Sequence, residues 1–297
     1  MPPASRRANP LERLTLDGLP EDAVPAYEAA LAEVCRTVSL FLDEPTGTWR
    51  VEGVREQGGD PAPLHAALAV AELVTGVAAA LERAPVEAEG WLARTVEAFP
   101  EQPLGRRWLI RPTHVPDPRE WGRIVLRLDA GLAFGSGEHA STQGCLVALE
   151  GVLHRRPRRV LDLGSGSGIL AMAAAKALHV PALATDIEPW SVRVAADNAT
   201  MNGLRGRFRS ILADGWRSPA VSGGRYDLVF ANILARPLCA MARDLAAHLE
   251  PGGTAILAGL LGTQARWVLA AHRRGGLVLE RRIDLGAWTT LVLRRRG

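Results

Sequence analysis

The feature of the sequence that most restricts its fold is a regular alternation of strand-like and helix-like segments that starts at residue 160. Apolar runs predict five strands, and most of the segments between and after them have the apolar spacing of helices. The predicted strands are 160–164, 182–186, 207–212, 226–231 and 254–260, and the predicted helices are 168–178, 189–201, 235–249 and 263–274. Such alternation implies right-handed crossovers and a parallel sheet covered on both faces.

Two further strands are predicted at the end of the chain. Segments 277–284 and 288–294 are joined by only a few residues around Gly286, too few for a crossover connection. One of them must therefore run antiparallel to its neighbour. The sequence predicts an α/β domain with a doubly wound sheet that ends in a reversed hairpin, which is not the usual dinucleotide-binding order.

The chain is longer than one typical domain, and its first third has a different pattern. It reads as a strand, a helix, two strands and a second helix, an order compatible with a small α+β domain of the ferredoxin-like type. These elements are predicted at 13–19, 22–37, 39–43, 48–56 and 63–81. Five prolines from residue 100 to residue 118 disfavour a continuous helix or a central strand there. We therefore predict an α+β domain at 1–100, a proline-rich linker at 101–127 and a second domain at 128–297.

Charge is distributed unevenly between these parts. Residues 1–100 contain 8 Lys+Arg and 16 Asp+Glu, a net charge of −8, and residues 101–297 contain 27 and 16, a net charge of +11. An acidic surface attracts basic proteins and repels nucleic acid, whereas a basic surface does the reverse. The split is therefore either a hint about partners or ordinary solvated charge.

The cysteines and the apolar segments restrict the class of protein further. The three cysteines are far apart and form no CxxC pair, so neither a disulfide framework nor a zinc site is predicted, and no metal is expected. No apolar run follows Arg6 and Arg7, and the apolar window 66–81 is interrupted by Glu72. We expect a cytoplasmic protein with neither a secretory signal nor a membrane span.

A glycine-rich turn follows the first strand of the alternating region. The stretch from Val160 to Gly168 reads VLDLGSGSG, and its three glycines are Gly164, Gly166 and Gly168. Such glycines let the backbone approach a ligand, and the helix start that follows offers free N–H groups. A tight structural turn would look the same. A dinucleotide fingerprint needs glycine where Ile169 stands, so nicotinamide binding is disfavoured.

Three polar residues follow predicted strands, at the edge of the sheet where ligands bind in such folds. Asp186 lies 22 positions after Gly164 and could accept both hydroxyl hydrogens of a ribose, or could cap the next helix. Asp214 could accept from an adenine amine or could be a turn residue. Asn232 is one of only four asparagines, and a binding role explains it better than capping does.

These residues resemble those of a known family, the bacterial methyltransferases of large-subunit ribosomal protein 11 (PrmA). The resemblance runs from about Trp91 to the C-terminus. The glycine turn is generic to class I methyltransferases, whereas the segments FGSGEHAST at 134–142 and NILARPL at 232–238 are more specific. The resemblance implies a Rossmann-like class I fold, S-adenosylmethionine as the cofactor and methyl transfer to a ribosomal protein.

Roles for individual residues follow from the resemblance and the residue pattern together. The expected cofactor-binding residues are Thr142, Gly164, Gly166, Asp186, Asp214 and Asn232. By the resemblance, the catalytic contacts are the side-chain oxygen of Asn232 and the backbone carbonyl of Ile233, which would hold the substrate amine. His139 is retained from the family pattern GTGTHPTT, and a structural or cofactor-related role is favoured for it over that of a base. The sequence departs from this pattern at Ser136, Glu138, Ala140 and Ser141.

We therefore expect an enzyme that transfers methyl groups from S-adenosylmethionine to lysine or N-terminal amines of large-subunit ribosomal protein 11. The acidic N-terminal domain is expected to bind this substrate, and direct nucleic-acid binding is not expected. One alternative is methylation of another protein's lysine, since a mitochondrial enzyme acting on an electron-transfer flavoprotein subunit is similar in its catalytic domain. A nicotinamide-dependent oxidoreductase is a more distant alternative, disfavoured by Ile169 and the terminal hairpin.

Overall fold

The chain forms two compact units, unit 1 (Met1–Trp91) and unit 2 (Leu92–Gly297). The structure is a computed structural model that describes residues 11–35, 37–43, 46–58, 60–85, 101–113, 115, 122–128 and 139–296. Within these ranges, no helix combines the length and the apolar character needed to cross a membrane.

The described part of unit 1 contains a four-stranded antiparallel sheet and two helices. Its elements are β1 (Leu11–Leu19), α1 (Val24–Ala32), β2 (Thr37–Asp43), β3 (Thr48–Glu56), α2 (Pro61–Thr75) and β4 (Leu81–Pro85). The strand order is β2-β3-β1-β4, with antiparallel pairing throughout. Alternate residues of β1 and β3, among them Leu14, Leu16 and Val51, are fully buried, as expected when one face of an antiparallel sheet packs against a core.

The second helix of unit 1 is shorter than the sequence predicts. The prediction runs to residue 81, whereas α2 ends at Thr75 because Gly76 follows in a left-handed conformation (φ 69°) and donates its N–H to Glu72 O. Glycine in that conformation is a common helix terminator. The chain that follows forms β4, which pairs with β1 and was not predicted.

The first described part of unit 2 is a small three-stranded sheet, which lies in the segment for which the prolines predict a linker. Its strands are β5 (Gln102–Leu104), β6 (Trp108–Pro112) and β7 (Ile124–Leu128). β5 and β6 pair antiparallel, and β6 and β7 pair parallel. Pro103 fits because β5 is an edge strand, and Pro112 fits because it ends β6. The indole Nε1 of Trp108 donates to Leu146 O at 2.9 Å, which ties this sheet to the rest of the unit.

The main sheet of unit 2 has the strand order β10-β9-β8-β11-β12-β14-β13. Its strands are β8 (Val160–Leu163), β9 (Ala182–Asp186), β10 (Phe208–Leu212), β11 (Tyr226–Asn232), β12 (Leu249–Leu261), β13 (Leu277–Leu285) and β14 (Trp288–Arg295). Pairing is parallel from β10 to β12, whereas β14 is antiparallel to both β12 and β13. The predicted doubly wound sheet with a reversed terminal hairpin is therefore confirmed.

Helices cover both faces of the main sheet. They are α3 (Ala140–Val152), α4 (Ile169–Leu178), α5 (Pro189–Met201), α6 (Pro219–Ser222), α7 (Ala235–Ala240), α8 (Ala242–His248) and α9 (Ala265–Arg274). Alternate residues of the central strand β11 enter different cores. Leu228 and Phe230 belong to the core that includes α3 and α4, whereas Val229 and Ala231 belong to the core that includes α8 and α9. This alternation is how a sheet buried on both faces fills two cores.

Three further features of unit 2 differ from the predicted elements. The predicted helix 235–249 is two shorter helices that meet at Met241. β12 starts at Leu249 instead of residue 254, and the Pro251-Gly252-Gly253 segment lies where its pairing with β11 shifts register. The helices α3 and α6 have no counterparts among the predicted elements.

Candidate functional site

The candidate site lies at the carboxyl ends of the central strands, where β8 turns into α4. The turn contains Gly164, Gly166 and Gly168 in left-handed conformations, with φ of 66°, 50° and 78°. A Cβ atom at Gly164 would lie 2.4 Å from Cγ2 of Ile233, far inside van der Waals contact. Glycine is therefore required at this position, both by its backbone conformation and by the lack of space.

Asp186 connects the neighbouring strand β9 to the glycine turn. It is the last residue of β9 and is 9% exposed. Its Oδ2 accepts the N–H of Gly166 at 2.9 Å, and its Oδ1 accepts the N–H of Glu188 at 3.0 Å. Because each carboxylate oxygen can accept more than one hydrogen bond, both retain acceptor capacity toward a ligand. The carboxylate thus lies beside the glycine turn, as the strand pattern predicts.

Asn232 ends the strand β11, which pairs directly with β8. Its Nδ2 donates to Oγ1 of Thr142, a fully buried residue in the first turn of α3, at 3.2 Å. Its Oδ1 is buried and has no hydrogen-bond partner among the described residues. A buried polar atom left without a partner costs about 1–3 kcal/mol, so an acceptor in this position points to a donor supplied by a ligand.

Ile233 is enclosed between two glycines. Its side chain lies against Gly164, and its backbone lies against Gly259 of β12, which has a φ of 79°. A Cβ atom at Gly259 would be 2.6 Å from the carbonyl oxygen of Ile233 and 2.9 Å from its backbone carbon and nitrogen. The pairing of β12 with β14 shifts register between Leu257 and Leu260, so Gly259 lies in an irregular part of the strand.

Several of these groups line one small cleft between β8 and β11, where the strand order of the main sheet reverses, whereas Asp186, Ile233 and Gly259 lie behind the lining residues. Ligands bind at such reversal points in open α/β sheets. The cleft is lined by Thr142, Asp162, Gly164, Ser165, Gly166, Ile169, Leu170 and Asn232. It therefore contains predicted cofactor-binding residues from α3, from the glycine turn and from β11, and Asp186 contacts it through Gly166.

Known proteins match most of the chain. The family profile described as Ribosomal protein L11 methyltransferase (PrmA) matches residues 51–296. A ribosomal protein L11 methyltransferase from Bradyrhizobium diazoefficiens is 42% identical over 258 residues, which are 86% of this chain and 87% of that protein. Another from Rhizobium meliloti is 45% identical over 217 residues, covering 72% of this chain and 74% of that protein. The chain belongs to the PrmA family.

A solved structure of the PrmA family agrees with the fold. The crystal structure of a ribosomal protein L11 methylase from Lactobacillus delbrueckii subsp. bulgaricus matches with a TM-score of 0.61 and 31% identity. The match covers 66% of this chain and 99% of that one. The main sheet therefore has the class I methyltransferase fold that the resemblance implies. These relatives favour neither of the two alternatives, a nicotinamide-dependent oxidoreductase or a methyltransferase that acts on a lysine of another protein.

This PrmA-family cleft also contains a carboxyl group that the sequence analysis did not single out. Asp162 of β8 is 1% exposed, its Oδ2 accepts the N–H of Ala171 at 3.2 Å, and its Oδ1 has no partner in the described part of the chain. Burial raises the pKa of Asp162 to about 8, the nearby charge of Asp186 adds to the rise, and the Ala171 hydrogen bond opposes it. The signal in the sequence was one polar residue inside an apolar strand.

Asp214 is placed differently from the other predicted residues. It is not among the residues that line the cleft, its side chain is 64% exposed, and its Oδ2 accepts from Nη1 of Arg217 at 2.7 Å. The preceding residue, Ala213, donates its N–H to the carbonyl oxygen of Asp186 at 2.9 Å. Asp214 therefore follows β10, the strand that pairs with the β9 strand ending at Asp186. Its contact with adenine stays a prediction.

His139 caps α3 and packs against the terminal hairpin. Its Nδ1 accepts the N–H of Ser141 at 3.3 Å, and its ring meets that of Trp288 edge-on, with centroids 4.3 Å apart. The cap lies at the start of the helix that carries Thr142, which supports the structural role favoured for His139.

The departures from the PrmA-family pattern fall on both sides of His139. Ser136 and Glu138 lie outside the described residues. Ala140 and Ser141 begin α3, and Ser141 is fully buried with its hydroxyl 2.7 Å from Nδ1 of His139. The serine at 141 therefore retains a hydroxyl that contacts the capping histidine.

Proposed function

We propose that this protein transfers methyl groups from S-adenosylmethionine to amines of ribosomal protein L11, at lysine side chains, at the N-terminus or at both. The family supports the reaction class, and one observation in the site supports the amine. This observation is the buried Oδ1 of Asn232, which lacks a donor among the described residues. A substrate amine has N–H donors to offer, so Asn232 is the proposed point at which it is held.

The cleft residues fit the proposed cofactor. S-adenosylmethionine would supply an electrophilic methyl group on a sulfonium. Asp186 would accept the ribose hydroxyls with the acceptor capacity left on its two oxygens. Gly164 and Gly166 present backbone rather than side chains to the cleft, and Thr142 and Asn232 line the same space. Asp214, next to the strand end that holds Asp186, is the candidate partner of the adenine amine.

The substrate amine must be neutral when it attacks. A lysine amine has an ordinary pKa of about 10.4 and is protonated at neutral pH. Burial disfavours the charged form, and the neutral acceptors proposed here, Asn232 Oδ1 and the Ile233 carbonyl, orient the amine without the full negative charge that would stabilise an ammonium. Asp162 is mostly protonated at neutral pH and adds little negative charge. The chain would therefore act mainly by aligning the amine.

Unit 1 is the proposed substrate-binding part. Its βαββαβ element order and antiparallel sheet lead us to class it as ferredoxin-like. Exposed arginines are few in its described part, Arg50 and Arg83, whereas exposed carboxylates are numerous. They are Asp17, Glu21, Asp22, Glu33, Asp43, Asp60, Glu72 and Glu82. Such a surface attracts a basic ribosomal protein.

Methylation of purified ribosomal protein L11 tests the proposal. The full-length protein is incubated with L11 and S-adenosylmethionine, and intact-mass and peptide mass spectrometry count and locate the added methyl groups. We expect methyl groups on lysine or N-terminal nitrogens, and none when the lysines and the N-terminus of L11 are blocked by acetylation beforehand. Methylation of blocked L11 would reject the amine, and a protein that binds S-adenosylmethionine but leaves L11 unmodified would reject the substrate.

A further inference from the structure

A second cleft lies at the other end of the central strands of the main sheet, beside the amino ends of β8, β11 and β12. Its volume is about 190 Å³, and it lies within unit 2. The glycine turn and Asn232 are at the carboxyl ends of these strands, so the second cleft is separate from the candidate cofactor site. Residues that line it include Arg155, Arg156, Arg158, Asp227, Gly252 and Thr254.

Arg155, one of the residues that line this cleft, has a donor without a partner. Its Nη1 donates to Oγ1 of Thr254 at 2.9 Å and to Oε2 of Glu280 at 2.7 Å, and these contacts hold the guanidinium in place. Its Nε is buried and has no acceptor within the part of the chain that the structure describes. A buried N–H without a partner is costly, so its presence on a residue that lines a cavity points to an acceptor from outside the chain.

Two more arginines that line the cleft have exposed side chains. Within the described ranges, neither Arg156 nor Arg158 forms an ion pair, so both guanidinium groups are available to a ligand. Arg156 has a left-handed backbone conformation (φ 50°), which is uncommon for a residue other than glycine. This conformation ends the short 3-10 turn Leu153–Arg155, and the N–H of Arg156 donates to Leu153 O at 3.0 Å, which fixes where its side chain starts.

Two acidic groups, Asp227 of the lining and Glu280 beside Arg155, are already engaged. Oδ2 of Asp227 accepts the N–H groups of Arg158 and Arg159 at 2.9 Å each, so this carboxylate is bound by the loop backbone. Glu280 pairs with Arg155, and its other oxygen lies 3.5 Å from Nη1 of Arg294. Among the residues that line the cleft, three are arginines, Arg155, Arg156 and Arg158, and one is a carboxylate, Asp227.

We propose that this cleft binds a phosphate group. The planar guanidinium presents paired N–H donors that match phosphate oxygens, and arginine is favoured over lysine where such geometry matters. One water occupies about 30 Å³ of liquid, so the cleft has room for a small oxyanion. The phosphate belongs either to a free anion or to a nucleic-acid backbone. The expectation that nucleic acid is not bound rests on the acidic first third of the chain. The cleft lies in unit 2 and is lined by arginines, so that expectation does not extend to it.

Calorimetric titration of the full-length protein with inorganic phosphate tests the site. The double variant Arg156→Ala/Arg158→Ala should weaken binding about tenfold or more, because two charged contacts are lost. Arg155→Lys keeps the charge but removes the Nε–H donor, and should also weaken binding. The matched control is Arg205→Ala/Arg209→Ala, two exposed arginines near β10. The control should retain the wild-type phosphate affinity, and all variants should retain the wild-type affinity for S-adenosylmethionine.

A single-stranded RNA oligonucleotide in the same titration distinguishes the two sources of phosphate. The site is assigned to a nucleic-acid backbone if two results are found together. The wild-type protein binds the RNA more tightly than free phosphate, and the affinity of Arg156→Ala/Arg158→Ala for the RNA depends less on salt than the wild-type affinity does. Binding of inorganic phosphate alone assigns it to a free anion. The proposal is overturned if the wild-type protein binds neither probe, or if the folded double variant binds both as tightly as the wild type does.

Discussion

The backbone of Ile233 lies directly against Gly259, so that a Cβ atom at Gly259 would be 2.6 Å from the Ile233 carbonyl oxygen. This carbonyl is one of the two acceptors proposed for the substrate amine. Gly259 has a φ of 79° and lies where the strand β12 loses its regular pairing with β14. The irregularity in β12 and the proposed amine site are therefore parts of one local structure.

Gly259→Ala should lower kcat about tenfold or more and leave the Kd for S-adenosylmethionine within about twofold. The added methyl group would displace the Ile233 carbonyl, and a displacement of 1 Å at a reacting group can cost about 100-fold in rate. The proposed cofactor contacts at Asp186 and in the glycine turn do not touch Gly259. Single-turnover methylation gives the rate, and calorimetry gives the affinity.

Gly276→Ala is the matched control for this variant. Gly276 has a similar backbone conformation (φ 84°), but no atom lies within 4 Å of its would-be Cβ. The two variants share the cost of placing alanine in a left-handed conformation, and only Gly259→Ala adds the clash with Ile233. If both lower kcat equally, the loss comes from backbone strain, and Gly259 does not position the amine site.

Asn232→Ala should reduce turnover more than cofactor affinity, because orientation of the amine matters chiefly in the transition state. Thr142→Val removes the hydroxyl that accepts from Nδ2 of Asn232 and should cause a smaller loss of turnover. Single-turnover rates at saturating S-adenosylmethionine measure both effects. A rate for Asn232→Ala within about twofold of the wild type would identify Asn232 as a structural cap.

Asp186→Ala should weaken S-adenosylmethionine binding about tenfold or more, because hydrogen bonds to charged groups contribute about 1.5–3 kcal/mol each. Asp197→Ala, which removes an exposed carboxylate from α5, is the control and should bind the cofactor normally. Calorimetry of both variants, after circular dichroism has shown that they are folded, gives the comparison. Normal affinity in Asp186→Ala would contradict the ribose contact.

The buried carboxyl of Asp162 should make stability fall as pH rises. Its folded pKa is about 8 and its ordinary unfolded pKa is about 3.9, so between these values the folded protein binds one more proton than the unfolded chain. The free energy of unfolding then decreases with pH by about 1.4 kcal/mol per unit. Asp162→Asn has no titrating group at this position. Its free energy of unfolding in urea denaturation, relative to that of the wild type, should therefore rise from pH 5 to pH 7. Parallel pH profiles would show that Asp162 is ionised in the folded state.

Local patterns in the sequence were sufficient to predict the main sheet but not the whole site. Apolar runs that alternate with helices predict the parallel strands, and the short connection at Gly286 predicts the reversed hairpin. Thr142 could be placed only by resemblance, since its contact with Asn232 joins residues 90 positions apart and no local pattern records it. Asp162 was missed because a single polar residue in an apolar strand has no periodicity to mark it.

The boundary between the two units decides how their roles can be separated. The sequence places the start of the catalytic domain near residue 128, and a fragment cut near Pro112 would already contain every predicted cofactor contact. The structure assigns β5 and β6 to the same compact unit as the main sheet, and Trp108 of β6 donates to Leu146 of α3. A cut at Leu92 keeps this sheet, whereas a cut at Pro112 removes most of it.

A fragment that begins at Leu92 should therefore fold and bind S-adenosylmethionine with nearly the affinity of the full chain, because the glycine turn, Asp186 and Asn232 all lie within it. It should methylate ribosomal protein L11 poorly, because the proposed recognition surface belongs to unit 1, and the first hundred residues carry a net charge of −8. Electrostatic attraction between solvated surfaces is screened over about 8 Å at physiological ionic strength, so raising salt should lower full-length activity at limiting L11 and change the fragment less. Initial rates of both proteins across a salt series measure this difference. Equal rates at every ionic strength would show that unit 1 does not recognise the substrate, and recognition would then have to lie in unit 2.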